Sequence, residues 1–343
     1  MKTINNPGVS FPVSQICLGT AFFNSEKYVP KDRSFELMDY YFRQGGRFFN
    51  TAHEYGNGLS ELCLGEWVRT RGVRDQVILT SKGGEDATRI PHCRAMRREE
   101  LLEDIDESLE RMGLEYLDFY MLHLDDPSVS VEEIVGTMED IKKAGKIRYY
   151  GSSNWSPERQ REAAAYAKKM GYQGFVIDEI EYSVARSNNV NENKGIKWLD
   201  ESFVELHEED GMCVGAYSAL AHGIFQKYAK NGSFQKSGGL ISDDGWYKIF
   251  SNPYNREVAE RLIKLSKETG WSVVQIQLAW LADHPHNFPC FSIIGASKIY
   301  QLEDSLAASD ITLTPDMISY LVPDRREFPD GVDLIKAGKE FPF

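Results

Sequence analysis

An α/β fold, with parallel strands covered by helices and closed as a (β/α)8 barrel, is what this sequence predicts, and two patterns carry the prediction. Short β-branched or aromatic runs alternate with longer amphipathic runs along most of the 343 residues, as in a parallel sheet whose crossovers are helical. Titratable side chains collect directly after several of the short runs, where the strand-to-helix loops of a barrel build their chemistry. The length fits two ordinary domains or one large barrel, but no internal repeat and no flexible linker divides the sequence.

Candidate strands fall at residues 15–19, 47–50, 76–81, 117–123, 147–152, 174–180, 212–218 and 291–295. Helices are expected over 32–43, 60–69, 97–112, 131–143, 157–170, 197–209, 255–267 and 299–307, with a further one at 273–282 before the last strand. Ser156 before Pro157 pairs an N-cap with a first-turn proline, and Gly171 and Gly270 stand where helices end on glycine. Residues 231–252, rich in Gly, Ser and Asp, read as a long loop over the seventh strand. The expected organisation is one barrel domain over 1–323 with an N-terminal cap, followed by a polar, proline-bearing tail over 324–343.

Composition excludes several classes of function. No apolar run approaches the roughly 20 residues of a membrane helix. The N-terminus, Met1 to Pro7, lacks the apolar core of a signal peptide, so a cytoplasmic location is expected. A net charge of −13 without a segregated basic patch argues against nucleic acid. The five cysteines, Cys17, Cys63, Cys93, Cys213 and Cys290, are scattered without a C-x-x-C pair, as reduced thiols are. No metal site is expected, because His284-Pro285-His286 has no carboxylate partner at a ligand spacing.

The stretch Phe49-Asn50-Thr51-Ala52-His53-Glu54-Tyr55-Gly56 sets a phenol, an imidazole and a carboxylate just past the second strand. Lys82 follows the third strand and His123 ends the fourth, so adjacent barrel strands would bring Tyr55, Lys82 and His123 to one mouth. A phenol, with a reference pKa of about 10, needs a nearby cation to release its proton, and Lys82 supplies one. His123 is placed to orient a carbonyl oxygen, which leaves Tyr55 as the general acid for an alkoxide formed by hydride arrival.

With these residues in place, the sequence resembles the aldo-keto reductase family. The likeness runs through Phe49-Asn50-Thr51-Ala52-x-x-Tyr55-Gly56, Ser81-Lys82, Leu122-His123, Gly151-Ser152-Ser153-Asn154-Trp155, Tyr217-Ser218-Ala219-Leu220 and Gly295-Ala296-Ser297-Lys298, over about residues 8 to 323. The resemblance implies a (β/α)8 TIM barrel and a nicotinamide cofactor bound without a Rossmann domain, usually NADP(H), with NAD as the alternative. The absence of an early G-x-G-x-x-G loop agrees. It implies Tyr55 as proton donor, Lys82 as its activator, His123 as the carbonyl-orienting group, and Asn50 at the fourth catalytic position. Ser153 and Asn154 would hold the nicotinamide amide, and Tyr217 would stack on its ring. Ser218, Leu220 and Gly223 would line the pyrophosphate path. Gly295, Ser297, Lys298 and Gln301 would reach the adenosine phosphate, and Asp304 and Ser305 the adenine. Gly19, Thr20 and Ala21 would sit beside the cofactor, and Phe22, Phe23 and Tyr28 would wall the substrate.

Three positions depart from that family pattern. Asn50 stands where the family has an aspartate paired with the lysine, so the ion pair is expected to be lost and turnover lowered, with Asn50→Asp restoring it. Glu179, preceded by Asp178, stands where a glutamine would meet the nicotinamide amide, and its charge is expected to favour the oxidised cofactor. Ser305 replaces an asparagine near the adenine. The expected function is NADP(H)-dependent reduction of an aldehyde or ketone, sugar-like or small polar carbonyls included, or oxidation of the matching alcohol. A catalytically weakened cofactor-binding regulatory or redox-sensing protein, and a cofactor-assisted sugar isomerase or lyase, are the alternatives that Asn50 and Glu179 leave open.

Overall fold

A two-stranded antiparallel hairpin, β1 (Thr3–Ile4) with β2 (Val13–Ser14), precedes a closed barrel of eight strands. These are β3 (Ile16–Gly19), β4 (Phe48–Asn50), β5 (Ile78–Gly83), β6 (Leu117–Leu122), β7 (Ile147–Ser153), β8 (Ile177–Glu181), β9 (Cys213–Tyr217) and β10 (Cys290–Ile294). All eight neighbouring pairs are parallel, and β10 closes the ring on β3 through Ser292 opposite Ile16. The computed structural model describes residues 1–85, 96–188, 195–234 and 249–323. The expected tail over 324–343, most of the expected loop over 231–252, and Cys93 lie outside the described residues. Cys17, Cys63, Cys213 and Cys290 are buried free thiols, and no described helix is long and apolar enough to cross a membrane.

The period-two alternation of the strands sorts side chains into two cores. Phe48 points into the barrel, with its ring 5.7 Å from Phe119 and 5.0 Å from Phe291. Its neighbour Phe49 points outward, 5.0 Å from Trp67 on α2 (Leu59–Arg71) and 5.1 Å from Tyr41 on α1 (Lys31–Arg43). The hairpin floors the barrel, with Ile4, Val9 and Phe11 packed on the cluster that contains Phe48, Phe119 and Phe291. That apolar floor fills one end, so polar inward-facing residues collect at the other, C-terminal end of the strands.

The anticipated helices form, with ends set by the expected chemistry. The Ser156 hydroxyl accepts from the Arg159 amide, and Gly171 and Gly270 end their helices at φ of 70° and 79°. Two strands begin later than the sequence pattern suggests. Residues Arg74–Gln76 form a 3-10 turn, and the ladder with β6 continues through Lys82 opposite Met121, so Lys82 is inside β5 rather than beyond it. Gly174 at φ 78° holds the chain out of the sheet until Ile177, which puts Glu179 in the middle of β8. A short helix over Ile224–Asn231, led by Gly223 at φ 76°, has no counterpart in the sequence reading.

Helix α2 crosses α3 (Arg98–Met112) at Gly65, where a Cβ would overlap the backbone of Met112. Gly65→Ala gains helix propensity of about 1 kcal/mol, but the rigid backbone opposite cannot yield. The variant is expected to lose about 1–3 kcal/mol net, read as a lower urea midpoint.

Candidate functional site

Asn50, Lys82 and Glu179 occupy the inward face near the C-terminal ends of β4, β5 and β8, where they form a closed buried triangle with residue exposures of 2, 3 and 1%. The Lys82 Nζ donates to Asn50 Oδ1 at 2.6 Å and to the Thr51 carbonyl at 3.0 Å. The Asn50 Nδ2 donates to Glu179 Oε1 at 2.7 Å, and Glu179 Oε2 lies 3.4 Å from Lys82 Nζ. The chemistry fixes the amide orientation, because lysine only donates and an ionised carboxylate only accepts.

The expected loss of the lysine's ion pair is therefore corrected by the structure, since Glu179 is the partner. Burial works against the Lys82 charge, but Glu179 and Tyr55 outweigh it and hold the ammonium above its ordinary pKa. Both Glu179 oxygens are engaged, so its charge is compensated and the ground for a strong preference for oxidised cofactor is withdrawn.

Tyr55 and His123 complete the cluster. The Lys82 Nζ lies 3.3 Å from the Tyr55 hydroxyl, and the Tyr55 and His123 rings meet edge to face at 5.8 Å. Burial raises the Tyr55 phenol, and Lys82 opposes that shift. Behind the imidazole, His123 Nδ1 is 2.5 Å from Glu85 Oε1 and 3.8 Å from Glu54 Oε1. The Glu54 carboxyl is raised by burial and by Glu85, against the opposing pull of His123. Glu54, Glu85 and His123 each offer a ligand atom within 4.8 Å of the others, a grouping the sequence reading missed. Glu85 sits three residues beyond Lys82 and carried no motif; its position at the exit of β5 was the available signal.

These residues line one end of a cavity of about 1200 Å³ that runs to Ser297 through Ser305. Gly19, Ala21, Ser153, Tyr217, Ser218, Leu220, Gly223 and Gly295 line it, as do Phe22 and Tyr28. Thr20 does not join them, because its buried hydroxyl turns to the Asn50 carbonyl and the Ser60 hydroxyl. Phe23 is buried in the outer core, and His53 turns away to Glu107 at 3.0 Å. Lys27 and Lys227 face the cavity without having been singled out in the sequence.

The far end has the donor set for an anionic group. Ser297 and Lys298 amides and the Ser297 hydroxyl all converge on Gln301 Oε1, at 2.9, 3.1 and 3.1 Å, ahead of the helix Ile299–Ala307. A side-chain oxygen thus stands where a phosphate oxygen would accept the same bonds. The volume, this donor set and Lys227 and Lys298 along the wall fit a dinucleotide. Some predicted contacts are already committed within the protein. Asn154, at φ 60°, accepts from Tyr217 Oη and the Lys197 amide and donates to the His123 carbonyl and Ser153 Oγ. Asp304 accepts from Ser272 and Gln275, and the Ser305 hydroxyl donates to the Gln301 carbonyl.

The comparisons with known proteins agree with this geometry. The chain is 28% identical to the NADP(+) aryl-alcohol dehydrogenase of Phanerodontia chrysosporium, over 95% of this chain and 88% of that protein. It is 26% identical to norsolorinic acid reductase B of Aspergillus parasiticus, over 95% and 84% respectively. A crystal structure of a thermostable aldo-keto reductase with the inhibitor epalrestat superposes with a TM-score of 0.68 at 21% identity, covering 94% of this chain and 98% of that one. The sequence profile of the Aldo/keto reductase family matches residues 15–322, and a match of that extent over an eight-stranded barrel with this cluster at its mouth means that the chain belongs to the aldo/keto reductase family of oxidoreductases.

Proposed function

We propose that this protein reduces an aromatic aldehyde or ketone, or oxidises the matching alcohol, with NADP(H) as hydride partner and Tyr55 as general acid. The observation that carries the reading is the approach of Lys82 Nζ to Tyr55 Oη at 3.3 Å beside His123, in a cavity of about 1200 Å³ that also reaches Ser297 and Gln301. A bound reduced nicotinamide supplies the hydride. Ser153 and Tyr217 would hold the nicotinamide, Ser218, Leu220 and Gly223 the pyrophosphate, and Ser297, Lys298 and Gln301 the adenosine phosphate.

The protein's own part is proton delivery and charge placement. Burial keeps the Tyr55 phenol protonated, ready to donate to a carbonyl oxygen, and the Lys82 charge stabilises the phenolate left behind. His123 orients that oxygen from the other side. Phe22 and Tyr28, packed edge to face at 5.2 Å, give the substrate an apolar wall, which supports an aromatic carbonyl over a sugar. The names of the aryl-alcohol dehydrogenase and norsolorinic acid reductase relatives support the same class. A regulatory cofactor-binding protein is the second reading: the counter-ion of Lys82 removes the expected loss of its ion pair as a ground for it, while a 27% identical relative from Oryza sativa named as a probable voltage-gated potassium channel subunit beta supports it.

The test is to titrate the purified protein with NADPH and NADH and follow reduced-nicotinamide absorbance with benzaldehyde-type and sugar aldehydes. Tight NADPH binding with aldehyde-dependent oxidation is expected. No binding of either nucleotide, or binding without turnover on any carbonyl, overturns the reading.

A further inference from the structure

We propose that Glu179 and Asn50 have exchanged charge, so that Glu179, across the barrel on β8, is the counter-ion that positions Lys82, and Asn50 is the neutral bridge between them. The inference rests on the reading of Lys82 as the activator of Tyr55. Two hydrogen bonds and an ion pair close the triangle, at 2.6, 2.7 and 3.4 Å, and all three side chains are almost wholly removed from water. In that setting one carboxylate balances one ammonium, and the amide satisfies both neighbours because it alone both donates and accepts. Gly215, opposite Glu179 in the β8–β9 ladder, leaves room for this carboxylate; a Cβ there would lie 3.0 Å from Glu179 Cγ and 2.7 Å from Phe291.

The exchange reverses the expected effect of Asn50→Asp. A second carboxylate on the same lysine, beside Glu179 and near Glu54, adds repulsion rather than restoring a pair. Glu179→Gln leaves Lys82 buried with no carboxylate in the triangle. The double variant Asn50→Asp, Glu179→Gln returns one charge to the triangle, on the other strand.

The experiment compares wild type, both single variants and the double variant by kcat and KM for aldehyde reduction. A second readout on the same full-length proteins is the titration of Lys82, followed by NMR with isotope-labelled lysine. Tyr55, Glu54, Glu179 and Cys17 are the titratable groups facing Lys82. In Glu179→Gln, kcat is expected to fall by about tenfold or more with KM little changed, and Lys82 to titrate at lower pH. In the double variant kcat is expected to return to within about threefold of wild type, and Lys82 to titrate near its original pH. A double variant no better than Glu179→Gln, or an unmoved Lys82 titration in Glu179→Gln, overturns the proposal. If Glu179→Gln does not fold, rescue of folding in the double variant becomes the readout, and failure there overturns it too. If no form reduces any carbonyl, the functional reading fails, while the Lys82 titration still decides the charge exchange.

Discussion

Tyr55→Phe is expected to lower kcat for carbonyl reduction by about 10²–10⁴-fold, the range that one positioned proton donor contributes, with NADP(H) affinity unchanged. The substitution removes only the hydroxyl that Lys82 approaches at 3.3 Å and leaves the ring against His123. The phenol is suited to the task through two opposed effects. Burial raises its pKa, so it carries its proton at neutral pH, and Lys82 limits the rise, so the proton can still leave. An unchanged rate of the chemical step would shift the proton to the carboxyls behind His123. Glu54 is the group to examine then, because burial and Glu85 hold it above the ordinary carboxylate range. Wild-type turnover in Tyr55→Phe together with its loss in Glu54→Gln would remove Tyr55 as the acid.

The barrel was legible in the sequence because each strand is short, apolar and followed by an amphipathic stretch, and the motif residues lie at strand ends in chain order. Most residues that line the cavity were named from the sequence, but their pairings were not. Asn50 and Glu179 are 129 positions apart and meet only because the barrel closes, so the two departures looked like two separate defects. Their compensation appears once β4, β5 and β8 turn the same face inward. Glu85 was missed for the opposite reason: it is close to Lys82 in sequence, but its meeting with His123 depends on the pairing of β5 with β6. Thr20 and His53 show the complementary error, since polar residues next to a motif can point outward and satisfy the helices instead.

The outward face of the same strand predicts a loss of stability on the alkaline side. Asp178, next to Glu179 on β8, is wholly buried and is held by Ser152, Gln160 and His207, with His207 Nε2 at 3.1 Å from its Oδ2. Burial works to lower the His207 pKa, but Asp178 and Asp210 outweigh it and raise the imidazole to about 9 from an ordinary 6.5. The folded protein therefore holds this proton more tightly than the unfolded chain. The resulting stability is fully present below about pH 6.5 and is lost as the pH rises through about 9, by up to about 3 kcal/mol. Glu181 acts with the same sign in a lower window. Burial alone raises it from 4.5 to about 7, so its ionisation costs stability as the pH rises through that value. Urea midpoints measured near pH 8 and near pH 9.5 isolate the histidine, because Glu181 is already largely ionised at both. His207→Gln is expected to be less stable than wild type near neutral pH and to show a much flatter decline toward pH 9. Asp178→Asn is expected to be the more damaging change, since it leaves a buried imidazole without its main counter-charge and only one oxygen where Ser152, Gln160 and His207 met two. A decline in His207→Gln as steep as that of wild type would assign the alkaline loss to other groups and leave the Asp178–His207 pair with only a packing role behind the strand that carries Glu179.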